Sequence, residues 1–203
     1  MPVSLPAVRY QPSRPQLVDS VSASRVGERT ISFVEFADPF WRLQMSTAPL
    51  RAADLAHVEA FRDETRTAMR TVRHSPEYML LPQAYWGDPD AAALADTGMV
   101  TGFTGRFTFT FNSVANGLTL MRGDPIGLET GDYRSLHRIQ TGGVAAGNAL
   151  TVTVEPFVPD YIEVGALVRF KAPELNWRVL PGSFAIPDGL MPVASFTLIE
   201  VPK

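Results

Sequence analysis

Apolar and polar residues alternate strictly along several stretches of this chain, and a period of two sends successive side chains to opposite faces of a β-strand. In Arg106 to Phe111, Phe107, Phe109 and Phe111 share one face, expected in the core, while Thr108 and Thr110 share the other. Leu150 to Val154 alternates in the same way, and so does Phe40 to Met45 beyond the Asp38-Pro39 break. Thr30 to Ala37 reads as a further strand that turns Ile31, Phe33, Val34 and Phe36 toward a core. Shorter apolar runs lie at Leu118 to Met121, Ile126 to Leu128, Tyr133 to Ile139, Val164 to Phe170, Trp177 to Leu180 and Ala194 to Val201. Gly123-Asp124, Gly131-Asp132, Gly147-Asn148 and Gly165-Ala166 punctuate these runs as turns. Asn116-Gly117 predicts a hairpin joining the phenylalanine strand to Leu118. Roughly eight to ten strands at this spacing predict a mainly β fold, a β-sandwich or split barrel.

The period changes once. From Pro49 to about Val72, Leu55, Val58, Phe61, Met69 and Val72 recur at helical spacing, with Glu59, Arg62, Asp63, Arg66 and Arg70 opposite. This predicts one flanking amphipathic α-helix at about 49–72, with Thr47 as its N-cap. Arg62 and Arg66 repel at four-residue spacing, so packing of the apolar face, rather than propensity, must hold the helix. Before it, residues 1–29 carry Pro2, Pro6, Pro12 and Pro15, too closely spaced for a helix. They are expected to form an extended N-terminal arm with a strand around Leu17 to Val21, either mobile or ordered by a neighbour. After the helix, residues 74–97 hold Pro76, Pro82 and Pro89 with Tyr78, Tyr85 and Trp86, a long loop of the length that tends to be functional. Residues 30–203 are expected to form a single β-rich domain.

Composition narrows the function classes. Charged residues make up 19% of the 203 residues, below the globular average of about 25%. Such a chain either buries much of its surface in itself or buries part of it against copies or partners. A net charge of −3 offers no basic patch for nucleic acid. Lys171 and Lys203 are the only lysines, and the arginine bias reads either as the base composition of the coding genome or as bidentate pairing between subunits. The absence of cysteine excludes disulfides, thiolate metal sites and cysteine nucleophiles. The N-terminus lacks the basic start and apolar core of a signal peptide, and no apolar stretch approaches the roughly 18 residues of a membrane helix. A soluble chain made in the cytoplasm is expected.

Candidate chemistry is thin. His57, His74 and His137 lack the spacing of a helical zinc site, and His74 suits the C-terminal end of the helix. Asp132, Ser135 and His137 could be drawn as a triad, yet no nucleophile elbow or oxyanion hole accompanies them. Asp88-Pro89-Asp90 lacks the ligand series of an EF-hand, and the glycine pairs form no phosphate loop. No enzyme activity, catalytic residue, cofactor or metal is expected.

The strand ending in Phe40-Trp41-Arg42-Leu43 leads through Ser46-Thr47-Ala48-Pro49-Leu50-Arg51 to the helix with Phe61. Then follow Met121 to Leu128 (MRGDPIGL), Tyr133 to Ile139 (YRSLHRI) and Ala149 to Pro156 (ALTVTVEP). In this order the motifs resemble small tail proteins of long-tailed bacteriophages and prophages, of the distal tail and tail-tube kind, over roughly residues 30–201. The resemblance implies a β-sandwich or split barrel with one flanking helix, and assembly as a ring, usually a homohexamer, near the tail tip. There the ring would join the tube to hub or receptor-binding parts. Its partners would be copies of itself and other phage tail proteins, with DNA only in transit through the channel and no membrane. Its place would be the virion, after synthesis in the host cytoplasm.

The arm and the aromatic loop make Pro12, Pro15, Tyr78, Tyr85 and Trp86 the candidate interface residues, because large aromatics in loops often anchor contacts. The alternative, of a different class, is a carbohydrate- or receptor-binding β-sandwich module. In it Tyr78, Tyr85 and Trp86 would form a sugar-stacking platform.

Overall fold

The alternating segments build a closed barrel and an open sheet that meet along one barrel strand. The computed structural model describes residues 2–26, 30–67, 69–94 and 98–203. In chain order the elements begin with β1 (Gln16–Val26), β2 (Thr30–Ser46), α1 (Ala52–Thr65) and β3 (Val72–His74). The next are β4 (Gly98–Thr104), β5 (Thr108–Asn112), β6 (Thr119–Leu120), β7 (Pro125–Thr130), β8 (Tyr133–Thr141) and β9 (Gly143–Val144). The last are β10 (Leu150–Glu155), β11 (Leu167–Arg169), β12 (Leu175–Val179) and β13 (Ser195–Glu200). The fold is mainly β with one α-helix. The barrel runs β10-β5-β4-β11-β7-β8 and closes on itself, while the sheet runs β1-β2-β13-β12-β3, and β6 pairs with β9 alone.

The threonine–phenylalanine alternation works as the pattern requires. Phe109 and Phe111 of β5 are fully buried in the barrel with Val152 and Val154 of β10. Their outward neighbours pair hydroxyl to hydroxyl across the same two strands, Thr108 with Thr153 at 3.1 Å and Thr110 with Thr151 at 2.8 Å. Such cross-strand pairs stabilise a sheet by a few tenths of a kcal/mol, about 0.2–1 each. Phe107 departs from the expectation: it precedes β5 at the rim, is exposed, and meets the Phe157 ring edge-on at 6.1 Å. The Gly131-Asp132 turn joins β7 to β8, closing the Thr130–Tyr133 pair, with Gly131 at φ +59 where a glycine avoids Cβ strain.

The second core lies between the sheet and α1. Trp41, Leu43 and Met45 of β2, Trp177 of β12 and Phe196 of β13 are buried there, and Phe61 of α1 packs on Phe196 with ring centroids 5.6 Å apart. Trp41 fastens this layer to the barrel, since its indole Nε1–H donates to the Leu136 carbonyl of β8 at 2.7 Å. Leu136 itself packs into the sheet core.

Several expected boundaries move. The helix stops at Thr65, whose hydroxyl donates back to the Phe61 carbonyl at 2.8 Å, and the stripe it buries is only Val58, Phe61 and Thr65. Val72 belongs instead to β3, paired with Trp177, and Met69 is exposed. Thr47 does not cap the helix. It is buried, and its Oγ1 accepts from Ala194 N at 3.1 Å, while Arg51 holds the N-cap position. Asn116-Gly117 turns the chain, but β5 and β6 do not pair, because β5 already has β4 and β10 as neighbours. Asp38-Pro39 is no break: β2 runs through it, and the β1–β2 register shifts there, where a missing N–H is tolerated.

The arm also differs. The strand expected around Leu17 to Val21 is present and longer, as β1 over Gln16–Val26, and it belongs to the sheet rather than to an extended arm. The first part of the arm clasps the chain's own sheet: Val3 N donates to Thr71 O at 2.8 Å, and Gln11 N donates to Ser46 O at 2.8 Å. Tyr10 meets Phe196 edge-on at 6.4 Å.

Replacing Trp41 by Phe removes the bond to Leu136 and part of the packing between layers. We expect a loss of about 1–3 kcal/mol in urea unfolding. Trp86→Phe, at an exposed position, should change stability by less than about 0.5 kcal/mol. Equal effects of the two substitutions would mean that Trp41 does not join the layers.

Candidate interaction surface

β1 and β2 are longer than the sheet that holds them. β13 pairs with β2 only from Arg42 to Ser46, whereas β1 follows β2 out to Thr30. The outer part, Thr30 to Trp41 of β2, is therefore a two-stranded ribbon, about 36 Å long at the usual rise per residue. Val21, Ala23, Ile31, Phe33 and Glu35 share one of its faces, with Val34 and Ser22 on the other. The apolar members are exposed: Phe33 by 69%, Ile31 by 58% and Val34 by 55%. This overturns the expectation that Ile31, Phe33 and Val34 face a core; the Phe36 side chain lies outside the described residues. A lone two-stranded ribbon is marginal in water. Here it is anchored by the register of β2 within the sheet.

The residues expected at an interface are scattered by the fold. Pro12 is exposed and Pro15 is buried. Tyr78 is exposed, and the Arg14 guanidinium lies 4.6 Å from its ring centroid, so arm and loop do meet there. Tyr85 packs against the barrel core, and its hydroxyl oxygen accepts from Thr119 N at 2.9 Å. Trp86 is 71% exposed, with its indole N–H donating to Leu81 O at 3.2 Å. The long loop, which is built from short 3₁₀ turns, is held down by Asp124. One of its carboxylate oxygens accepts from Gln83 N at 2.9 Å and the other from Met121 N at 2.7 Å. Sequence reasoning missed the ribbon tip. The signal was present in the alternation of residues 30–37, but it reads equally as a buried face.

The imagined triad is resolved by burial. Ser135 and His137 are both buried, with Ser135 Oγ 2.8 Å from His137 Nε2. His137 Nδ1 lies 2.8 Å from the Pro156 carbonyl, which can only accept, so Nδ1 carries the proton and Nε2 accepts from the serine. Desolvation pushes the imidazole down to about 4, with the Pro156 bond opposing, and keeps it neutral near pH 7. Asp132 is apart, paired with Arg73 at 3.3 Å and Lys203 at 3.8 Å. Each polar atom of the Ser135–His137 pair thus completes a buried hydrogen bond. His74 sits on β3 rather than at a helix end, and desolvation lowers its pKa as well.

Beside this pair a small cavity of about 130 Å³ is lined by Phe40, Pro156, Tyr161 and Glu200, among others. Desolvation raises the Glu200 carboxyl to about 7, although the bond it accepts from Trp41 N at 2.8 Å pulls the other way. The Tyr161 hydroxyl is pushed up by desolvation, then by Glu200 and Asp38. Among the described residues there is no cluster of three or more His, Cys, Asp or Glu side chains that could hold a metal, and no helix is long and apolar enough to cross a membrane.

Glu200 binds its proton more tightly folded than unfolded, where 4.5 is the ordinary value. Its stabilising contribution is full below that value and is lost as pH climbs through about 7. His137 acts oppositely, its contribution present above 6.5 and lost as pH falls toward 4. Glu200→Gln keeps an acceptor for Trp41 N and removes one titration. The stability of Glu200→Gln relative to wild type should therefore rise by about 2–3 kcal/mol between pH 4.5 and 8. Urea unfolding across that range checks this, and a pH-independent difference would refute it.

No protein-family model matches this chain, and no curated protein matches it either.

Proposed function

We propose that this chain is a structural component of a bacteriophage tail, assembling with copies of itself as a ring near the tail tip and joining the tube to hub or receptor-binding parts. The observation that carries the assembly part is the β1–β2 ribbon: two paired strands stand off the sheet with Phe33, Ile31 and Val34 exposed. A chain that folds alone gains nothing from such surface, whereas a neighbour that covers it gains apolar burial. Among the described residues no strand pairs with the outer edge of β1, and such edges pair in assemblies. The tail assignment rests on the order of motifs from Phe40 to Pro156. A ring needs no reacting group, and DNA would cross its channel only in transit.

The reading of a carbohydrate- or receptor-binding module draws on exposed Trp86 and Tyr78. It loses Tyr85, whose ring and hydroxyl are both engaged by the barrel.

Light scattering with negative-stain imaging of the purified chain should give rings. A strict monomer retained on a glycan resin would overturn the ring and favour the binding module. Removing residues 1–28 would also remove β1 and core contacts, so substitution at the ribbon is the cleaner probe. Ile31→Asp with Phe33→Asp should leave the melting temperature within about 2 °C, since both side chains are exposed, and abolish assembly. Rings unaffected by this pair would remove the ribbon from the interface.

A further inference from the structure

The ribbon leaves the sheet beside three carboxylates. Asp19 lies where the β1–β2 register shifts, Glu35 lies opposite Val21, and Glu155 ends the neighbouring barrel strand. Geometry brings Glu155 to the ribbon base: it pairs with Arg138, whose guanidinium lies over the Trp41 ring, and Trp41 pairs with Leu17, two residues before Asp19. Desolvation first, then the charges of Asp19 and Glu35, hold the Glu155 carboxyl above the ordinary range. All three are exposed, and among the described residues none has an ion-pair partner. Two nearby cations are engaged elsewhere. Arg138, the cross-strand neighbour of Glu155, lies over the Trp41 ring at 5.0 Å, and Arg106 reaches Asp38 at 3.9 Å and Asp160 at 3.7 Å. Like charges so gathered repel, and a partner's cations would relieve them.

The far edge of the same sheet carries the opposite sign. Beyond α1, Arg66 is exposed beside Val179 to Phe184, and four residues on exposed Arg70 lies with Arg73 of β3 and Lys203 around Asp132. Arg73 is held by Asp132 at 3.3 Å, but among the described residues neither Arg66 nor Arg70 has an ion-pair partner. Arg70, Arg73 and exposed Met69 line an open groove of about 530 Å³. Strand pairing at this edge is already taken, since Val3 bridges Val72 in parallel, so a neighbour would meet side chains there. Four strand spacings separate the β1 and β3 edges, roughly 19 Å. Opposite signs on opposite edges make the chain complementary to itself head to tail, the relation that generates a ring, rather than face to face as in a two-fold dimer.

We propose that the carboxylates at the ribbon base of one copy, Asp19, Glu35 and Glu155, pair with the Arg66–Arg70 cluster of the next copy. This contact rests on the ring reading and names its two faces. Rising salt weakens it, because both faces are solvent-accessible before they meet.

Charge reversal with mixing tests it. Asp19→Arg with Glu35→Arg, and Arg66→Glu with Arg70→Glu, should each weaken assembly by about tenfold or more while leaving the melting curve unchanged. An equimolar mixture of the two should recover rings containing both variants. Each reversed face then meets a reversed partner, and each native face a native one. If wild type forms rings but either reversed variant alone assembles normally, or the mixture stays dissociated, the pairing is wrong while the ring stands. If wild type itself is monomeric, the ring falls and this contact with it.

Discussion

The centre of β8, from Arg134 to His137, is buried on both sides, and the rest of the structure is arranged around that requirement. Leu136 enters the sheet core and Ile139 the barrel core, so one strand serves two apolar interiors. The outer face of a barrel strand is ordinarily wet; here the five-stranded sheet covers it. Buried polar groups on β8 are then costly unless partnered within the protein. Ser135 and His137 satisfy one another and the Pro156 carbonyl. Arg134 has only ion pairs, with Glu129 and Glu174 each 3.6 Å from its Nε, and its Nε and Nη1 make no hydrogen bond among the described residues. The bond from Trp41 to the Leu136 carbonyl ties the covering layer to this strand. Barrel and sheet are held together here, since separating them would expose the buried centre of β8 around Leu136.

Two carboxylates extend the same logic to segments distant in sequence. Asp124 accepts from the main chain of the long loop at Gln83, and Glu200 accepts from the main chain of β2 at Trp41. Each such hydrogen bond is worth about 0.5–1.5 kcal/mol net, and leaving the buried main-chain donor unpaired would cost about 1–3 kcal/mol. A turn aspartate that would otherwise only shape its own hairpin therefore fixes a loop some forty residues upstream. That anchor is what draws Tyr85 onto the barrel and takes it out of reach of a partner.

The barrel was legible because its strands obey two rules at once, alternation and glycine-bearing turns. β7, β8, β10 and β11 of the barrel each overlap a run that the pattern marks, and so do β12 and β13 of the sheet. β4 was not legible: Gly98 and Gly102 dilute its apolar pattern, although Gly98 has no room for a side chain, a Cβ there lying 3.0 Å from Val114 Cγ1. The helix boundary failed because periodicity cannot tell a last helical turn from a short edge strand when both supply an apolar residue, as Val72 does. Of the expected interface residues, Tyr78 and Trp86 are at the surface because nothing in the barrel needs them. Tyr85 is not, because Asp124 and Thr119 hold its segment down.

The ribbon exposes the deeper limit of pattern reading. Alternation assigns residues to a face of a strand and says nothing of what, if anything, covers that face. In β2 the same strand carries Leu43 and Met45 into a core and Ile31 and Phe33 into solvent, and the difference is made by where β13 stops. This geometry favours association over a disordered arm. A flexible segment must lose about 1–2 kcal/mol of backbone entropy per residue when it is ordered on a partner. The ribbon has already met that cost, through its own cross-strand bonds and its anchorage in the sheet. Burying Phe33 or Ile31 on a neighbour would then return most of its transfer free energy, about 1.5–3 kcal/mol for each side chain, as affinity.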